Sequence, residues 1–594
     1  MPEPSSSFSS RIPKLAFIFL LLAACAFASW RMWHLPLWGW WPLLMLLSLW
    51  GAIVMIFFPK DPTERKWLGS ATLSGILLGL GFPPSPLTFV VIFAWIPWFA
   101  VETGIYQSKD KIRPGKVFLY SYHTFVLWNI LATFWVTNTA LIAGFMAIFV
   151  NAAFMATVMM LIHIVQRKLQ TKYAALVFIS LWISFEYLHH VWDLSWPWLA
   201  LGNSLAQYPW AAQWYEITGM FGGSLWILAL NWLGYTVILR WLRAKPLRIW
   251  QYASVLLIPL AVSLGIWFTI KESDSPGVKV TIVQPNFEPH YEKFVISQAE
   301  QSRRFFQLSM AHIDTSTRYL VFPETSFEGV RLNTFRENPE IHLFQSLIDS
   351  FPKLRLVTGI SSYRILQRDQ LRDTEYRVHE TDQGDTIYWD VQNAAVQMTS
   401  RDSNYQVYFK SKLVPGPEIF PFRKVLFFLK PIVEKLQGTV EGNTRQKERS
   451  VFKGGPLTIA PIICYESIYG AYVGEYVKKG ATALFIVTND GWWDNTPGHI
   501  QHLKIGALRA IEHRRPIARS ANTGISAFID IKGRIHSPTR YGETISIEGI
   551  LKPETRITLY TLWGDVIPNI TILLSGFFIL AMFYSRAGQK RILN

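Results

Sequence analysis

Ten apolar stretches run through this chain of 594 residues, and they limit its fold more than any other feature. A run of roughly 17–25 apolar residues crosses a bilayer as a helix, because a helix satisfies every backbone polar group within one segment. The runs predict spans near 15–30, 37–58, 67–82, 87–101, 117–137, 139–165, 173–190, 217–239, 249–270 and 564–585. Residues 273–560 carry almost all of the mixed, charged sequence. Charged residues are 16% of the chain, against about 25% in soluble domains, so a wholly soluble protein is excluded. The 15% aromatic content excludes disorder, and two cysteines exclude a disulfide scaffold.

A net charge of +16 suits nucleic-acid binding only when it lies on one binding face. Here it follows alternate connections between spans: Arg11 and Lys14; Lys60, Arg65 and Lys66; then Lys109, Lys111, Arg113 and Lys116. The same side holds Arg167, Lys168 and Lys172; Arg240, Arg243, Lys245 and Arg248; and Arg586, Lys590 and Arg591. These nineteen basic residues stand against five acids (Glu3, Asp61, Glu64, Glu102 and Asp110), which leaves +14 of the total on one membrane face. The opposite short loops hold one basic residue, Arg31. Lys and Arg flanking helices mark the cytoplasmic side. Both termini are therefore expected in the cytoplasm and the 273–560 domain on the outer face, with a lipid bilayer and no nucleic acid as partner. Leu22-Ala23-Ala24-Cys25 leaves two readings open: a retained helix with a buried cysteine, or a signal cleaved before a lipidated Cys25.

Within 278–545, strand-like and helical runs alternate, the pattern of a layered α/β domain. Strands are expected over Val278–Val283, Tyr319–Phe322, Leu356–Gly359, Asn393–Met398, Tyr405–Phe409, Leu457–Ile463, Ala483–Thr488 and Ile525–Ile531. Helices are expected over 290–312, 340–350, 467–479 and 499–513, and Pro415, Pro417 and Pro421 predict a loop at the membrane-facing site. The chain thus divides into residues 1–66 with two spans, a membrane domain over 67–272, an outer domain over 273–560, and a last span with a basic tail over 561–594.

Three strand ends in the outer domain carry reactive residues. Val321-Phe322-Pro323-Glu324 offers a carboxylate, Tyr408-Phe409-Lys410 an ammonium, and Ile462-Ile463-Cys464 a thiol. A thiol needs a base to become nucleophilic, and acyl transfer needs positive charge at the developing oxyanion. Glu324 can take the proton, Lys410 can stabilise thiolate and oxyanion, and Cys464 can attack. The Tyr465 N–H is a candidate second oxyanion donor. The residue types alone leave a buried structural cysteine equally open.

Those three motifs, in the order Glu, Lys, Cys, resemble the signature of the nitrilase superfamily. Fused to a multi-helix membrane domain, the chain resembles the apolipoprotein N-acyltransferase family over roughly residues 67–590. The likeness extends to Trp196-Pro197-Trp198-Leu199, Val357-Thr358-Gly359, Thr488-Asn489-Asp490-Gly491-Trp492, Gln501-His502, Arg509-Ala510-Ile511-Glu512 and Arg519-Ser520-Ala521-Asn522-Thr523-Gly524-Ile525. It implies an αββα sandwich outside the membrane, with Glu324 as general base, Lys410 as lysine and Cys464 as nucleophile. Glu418 matches a second required glutamate, and Tyr465 and Glu466 match the functional pair after the cysteine. The implied reaction takes an acyl chain from a phospholipid onto Cys464 as a thioester. A diacylglyceryl lipoprotein then receives it on its N-terminal amine, at the bacterial inner membrane with the catalytic domain in the periplasm. This chain departs from the family at Lys412, where His is frequent, and at Gly416-Pro417, where an aromatic-glycine pair is common. A membrane-tethered hydrolase and a non-catalytic scaffold or transporter are the rival readings.

No cofactor or metal is expected. His499, His502 and His513 lack a cysteine or clustered carboxylate to complete a ligand set, and no Gly-rich phosphate loop appears. Glu186 reads as either a functional membrane carboxylate or a cap, and His189-His190 as a wet helix end. The apolar or Trp-rich loops 33–43, 192–214 and 420–430 are candidates to meet lipid.

Overall fold

The computed structural model describes residues 11–108, 115–170, 173–372, 376–380, 385–400, 405–422, 428 and 442–592. Glu3, Lys109, Asp110, Lys111, Arg113, Lys172 and most of loop 420–430 lie outside them. All ten apolar stretches are helical, but eight helices, not ten, are long and apolar enough to span a membrane among the described residues. These are Ile12–His34, Thr88–Gln107, Gly115–Asn138, Leu141–Leu169, Ala174–Val191, Met220–Leu242, Ile249–Thr269 and Val566–Tyr584. Trp41–Ile56 has 16 residues, and Pro62–Leu80 begins with a charged turn. That turn is polar for a local reason: Asp61 caps it, accepting from the backbone N–H groups of Thr63 and Glu64 at 2.6 and 3.2 Å. The protein is a multi-pass membrane protein.

Two expectations about the helix Ala174–Val191 resolve here. Glu186 is buried and accepts from Trp182 Nε1 at 2.9 Å and from the Leu201 N–H at 3.0 Å, so it caps the turn Leu201–Gln207. His189 and His190 are not wet: they are 5% and 6% exposed. Phe221 and Tyr469 pack on the His190 ring and Trp192 on His189, which closes the helix end against water.

Residues 278–551 form an αββα sandwich. Its first sheet contains β1 (Val278–Gln284), β2 (Tyr319–Val321), β3 (Phe327–Arg331), β4 (Arg355–Leu366), β5 (Arg377–Glu380), β6 (Thr386–Thr399) and β7 (Gln406–Phe409). The second contains β8 (Ile459–Ile463), β9 (Ala483–Thr488), β10 (Ile517–Ala521), β11 (Ala527–Ile529) and β12 (Ile535–His536), and β13 (Ile545–Leu551) returns to pair with β1. The order is β13-β1-β2-β4-β6-β5 in one sheet, with β3 on β4 and β7 on β6, and β12-β11-β10-β9-β8 in the other.

Alternation along the strands decides which layer each side chain enters. Val280, Ile282, Tyr319, Val321 and Val357 face the second sheet, where the Tyr319 ring meets Phe485 at 5.4 Å. Their neighbours Val283, Leu320, Phe322 and Leu356 face the other way, onto the helices Gln298–Met310 and Pro339–Ser350. The sheet-to-sheet core is continuous with the membrane-helix core, which includes Trp95, Trp128 and Trp182. The expected helix 290–312 begins only at Gln298, where Ser297 caps it, and residues 289–295 form turns. Strands β3, β5, β10, β12 and β13 are not expected from the sequence: β5 exposes three residues in a row, β13 buries only Ser546 and Leu551, and β12 has two residues.

Candidate active site

Glu324 follows β2, Lys410 follows β7, and Cys464 follows β8. β2 and β4 are parallel, β6 is antiparallel to β4 and β7 to β6, so β2 and β7 end on the same side of the sheet. The second sheet supplies its own parallel pair, β8 and β9, whose ends carry Cys464 and Asn489. Close approach is secured at Gly359 on β4: a Cβ there would lie 2.5 Å from the Glu324 Cα and 2.7 Å from the Pro323 carbonyl oxygen. Only a glycine admits the segment that bears the carboxylate, which accounts for the Val357-Thr358-Gly359 motif.

Lys410 is 1% exposed and lies between two carboxylates. Its Nζ donates to Glu324 Oε1 at 3.0 Å and to Glu418 Oε1 at 2.8 Å. Asn393 Nδ2 donates to the same two oxygens, at 2.7 and 3.0 Å. The remaining oxygens are also held: Glu324 Oε2 accepts from the Asn489 N–H at 3.2 Å and Glu418 Oε2 from the Val414 N–H at 2.8 Å. Burial alone would raise the Glu324 carboxyl, but the Lys410 ammonium outweighs it and holds the group below its ordinary range. Burial would likewise lower Lys410, and Glu324 with Glu418 instead hold it well above the usual lysine range. The pair rests as carboxylate and ammonium.

Cys464 adopts φ +48°, a left-handed conformation that costs a non-glycine residue roughly 1–2 kcal/mol. Thr325, next to Glu324, has φ +48° as well, so two of the three reactive positions adjoin strained backbone. Burial pushes the Cys464 thiol up, the Glu324 charge adds to this, and Lys410 opposes it, so the sulfur rests protonated beside an ionised base.

Glu466 maintains the turn. It is fully buried, and its Oε2 accepts from the Ile463 N–H at 2.9 Å while Oε1 accepts from the Ser411 N–H and the Tyr408 hydroxyl, both at 2.7 Å, and from Tyr472 at 2.5 Å. One carboxylate therefore ties the residue before the cysteine to the residue after the lysine. From below, His502 Nε2 lies 3.1 Å from the Cys464 carbonyl oxygen and Ser467 Oγ donates to that oxygen at 2.8 Å. Asp490 completes the support, 2.8 Å from His502 Nδ1 and accepting from Arg519 at 2.5 Å. His513 is engaged elsewhere, with Thr561 and the Gly470 carbonyl.

The site faces the membrane helices. Tyr465 donates its hydroxyl proton to the Ser195 carbonyl at 2.9 Å, and its ring lies 6.5 Å from Trp198. Lys412 reaches the carbonyl of His190 at 2.9 Å and packs over Tyr469, so its ammonium closes a helix end. Glu324, Lys410 and Glu418 meet directly, Cys464 stands within their field, and Tyr465 and Glu466 point away from one another, one to the membrane domain and one into the core. Sequence reasoning missed Asn393, an amide inside a strand, and Lys293, a buried lysine that donates to Thr325 Oγ1 and whose ammonium burial brings down to about 8.

Two family models match the chain: Apolipoprotein N-acyltransferase N-terminal domain over residues 74–233, and Carbon-nitrogen hydrolase over residues 279–554. A curated protein of Chlorobaculum tepidum, named apolipoprotein N-acyltransferase, is 27% identical over 531 residues, covering 85% of this chain and 94% of its own. One of the same name from Rickettsia typhi is 26% identical over 528 residues, covering 86% and 97%. Among solved structures, Saccharomyces cerevisiae Nit3 of the nitrilase superfamily covers 48% of this chain and 93% of its own, at 15% identity and a TM-score of 0.33.

Proposed function

The chain belongs to the apolipoprotein N-acyltransferase family, and from that premise we propose that it moves an acyl chain from a membrane phospholipid to the N-terminal amine of a diacylglyceryl-cysteine lipoprotein, through a thioester on Cys464. The observation that carries the reading is the buried Lys410, bridging Glu324 and Glu418 beside a free thiol whose next residue hydrogen-bonds the membrane domain.

In the first half-reaction Cys464 Sγ attacks the carbonyl carbon of the phospholipid ester as Glu324 takes the thiol proton. The oxyanion that forms is stabilised by the Lys410 ammonium and by the Tyr465 N–H. Collapse breaks the ester C–O bond, Glu324 returns its proton to the glycerol oxygen, and a lysophospholipid leaves. In the second half-reaction the lipoprotein amine attacks the thioester carbon as Glu324 takes its proton, the C–S bond breaks to leave the amide, and Glu324 returns the proton to the Cys464 sulfur. Glu418 keeps Lys410 charged throughout, so the oxyanion always meets a cation. Splitting one transfer into two steps suits donors and acceptors that are both anchored in a bilayer. In this reading residues 273–560 face the periplasm of a bacterial inner membrane, the basic connections face the cytoplasm, and residues 67–272 with 561–594 hold the site at the lipid surface.

Purified protein incubated with phosphatidylethanolamine vesicles should gain one acyl mass on Cys464, and adding a diacylglyceryl peptide should move that mass onto the peptide. Cys464→Ala and Lys410→Ala should both abolish the adduct. Release of free fatty acid without peptide acylation would place the chain among hydrolases and refute the proposal, as would lipoprotein N-acylation retained by Cys464→Ala.

A further inference from the structure

Residues 1–66 lie outside both family models and take no part in the chemistry above. Residues 11–56 form a hairpin of two helices, Arg11–His34 and Trp41–Ile56, and the turn between them reaches the domain that carries Asp494. At its tip the Gly39 N–H donates to Asp494 Oδ2 at 2.7 Å, a contact across 455 residues. Asn138 Nδ2 closes the junction by donating both to the Gly39 carbonyl and to the Trp493 carbonyl, each at 3.1 Å. Trp40 lies 5.1 Å from the Phe134 ring, which seats the turn on the membrane domain. Gly39 itself has φ +54°, a conformation that glycine adopts at no steric cost.

The contacted carboxylate belongs to a loop that touches both halves of the reactive centre. At its start, the Asn489 N–H donates to the base Glu324, and Asp490 holds His502 under the cysteine turn. At its end, Trp493 packs on Trp135 and Trp198 at 4.9 and 5.5 Å and on His502 at 5.4 Å. Asp494 has φ +56°, so the loop ends on a residue in a conformation that its surroundings must enforce. It is 6% exposed, and its Oδ1 accepts from the Asn495 N–H at 2.5 Å.

We propose that the N-terminal hairpin is a positioning element of the acyl-transfer site: through the Gly39 N–H it fixes Asp494, and through Asp494 the loop 489–496 that orients Glu324 and the support of Cys464. Gly39 and Asp494 are positioning residues, since neither touches the reacting atoms. The inference rests on the acyl-transfer reading.

The test follows acylation of Cys464 by mass spectrometry in the full chain, with phosphatidylethanolamine vesicles at saturating and limiting lipid. Asp494→Ala should slow acylation at saturating lipid roughly tenfold, the scale set by losing one charge-assisted hydrogen bond. Asp494→Asn, whose amide oxygen still accepts from Gly39, should restore most of the rate. Gly39→Pro removes the donor and, because proline cannot hold φ +54°, also displaces the turn, so it should cost at least as much as Asp494→Ala, and the double variant should be no slower than Gly39→Pro alone, because both act through one contact. Amide hydrogen exchange in residues 489–496 should quicken in Gly39→Pro, although the substitution lies some 450 positions away in sequence. Wild-type acylation in Asp494→Ala, losses that multiply in the double variant, or unchanged exchange in 489–496 would each overturn the hairpin's role. An unacylated wild-type chain would instead defeat the acyl-transfer reading, which keeps the two failures distinct.

Discussion

Replacing Lys410 by methionine removes the ammonium that bridges the buried Glu324 and the half-buried Glu418, and keeps the length of the side chain. The Glu324 and Glu418 oxygens both lie within 3.0 Å of Lys410 Nζ, so they are no more than about 6 Å apart. At an effective dielectric of ~20, two like charges at that distance repel by about 3 kcal/mol. Asn393 still donates to both oxygens and holds them together. The variant therefore faces a repulsion it relieves only by protonating one carboxyl.

The sign of the pH dependence then reverses. In the native protein Glu324 is held below its ordinary range, so its contribution to stability is full above that range and is lost as pH falls through the depressed value. In Lys410→Met the carboxylate pair is raised instead, so stability is greatest below the ordinary glutamate range, where a proton is shared, and declines as pH rises from that range through the raised value. Thermal unfolding of detergent-solubilised protein, followed by tryptophan fluorescence between about pH 3 and 7, should show the native protein losing stability as pH falls below the ordinary glutamate range and the variant losing it as pH rises above that range. At neutral pH the variant should lose the cysteine adduct, since removing one oxyanion donor costs about 10²–10³ in rate and the base is now partly protonated. Parallel melting profiles for variant and native protein would refute the electrostatic account of Lys410, even if activity were lost.

Glu466→Gln should lower the melting temperature and slow acylation, because an amide has one acceptor oxygen for N–H donors that approach both carboxylate oxygens; unchanged melting would refute its tie between the cysteine and lysine segments. Gly359→Ala should disable acylation by displacing the segment of Glu324, with its Cβ 2.5 Å from that residue's Cα, and a normal adduct rate would refute the packing argument. Alkylation of Cys464 by iodoacetamide should be slow at neutral pH and quicken as pH rises, since burial holds the thiol protonated, and a fast, pH-independent reaction would contradict this.

What was legible in the sequence and what was not divides along one physical line. Properties carried by a local run were readable: apolar length marked the helices, and the motifs of Glu324, Lys410 and Cys464 stand at strand ends as their sequences suggest. Each of these depends on neighbours within a turn or a strand. The residues that escaped notice owe their roles to distant partners. Asn393 is unremarked inside β6 until β2 and the loop after β7 bring two carboxylates to its amide. His190 ends a helix whose exposure is decided by Tyr469, far along the chain in the outer domain. β13 alternates poorly and is a strand because β1 offers it an edge. The N-terminal hairpin is the extreme case, for nothing near Gly39 in sequence hints at Asp494. Its family match could not help either, since the matched segment begins at residue 74. A site built on strand ends is legible where each strand brings its own reactive side chain. Its supports come from wherever the chain folds past, and only the folded structure brings them together.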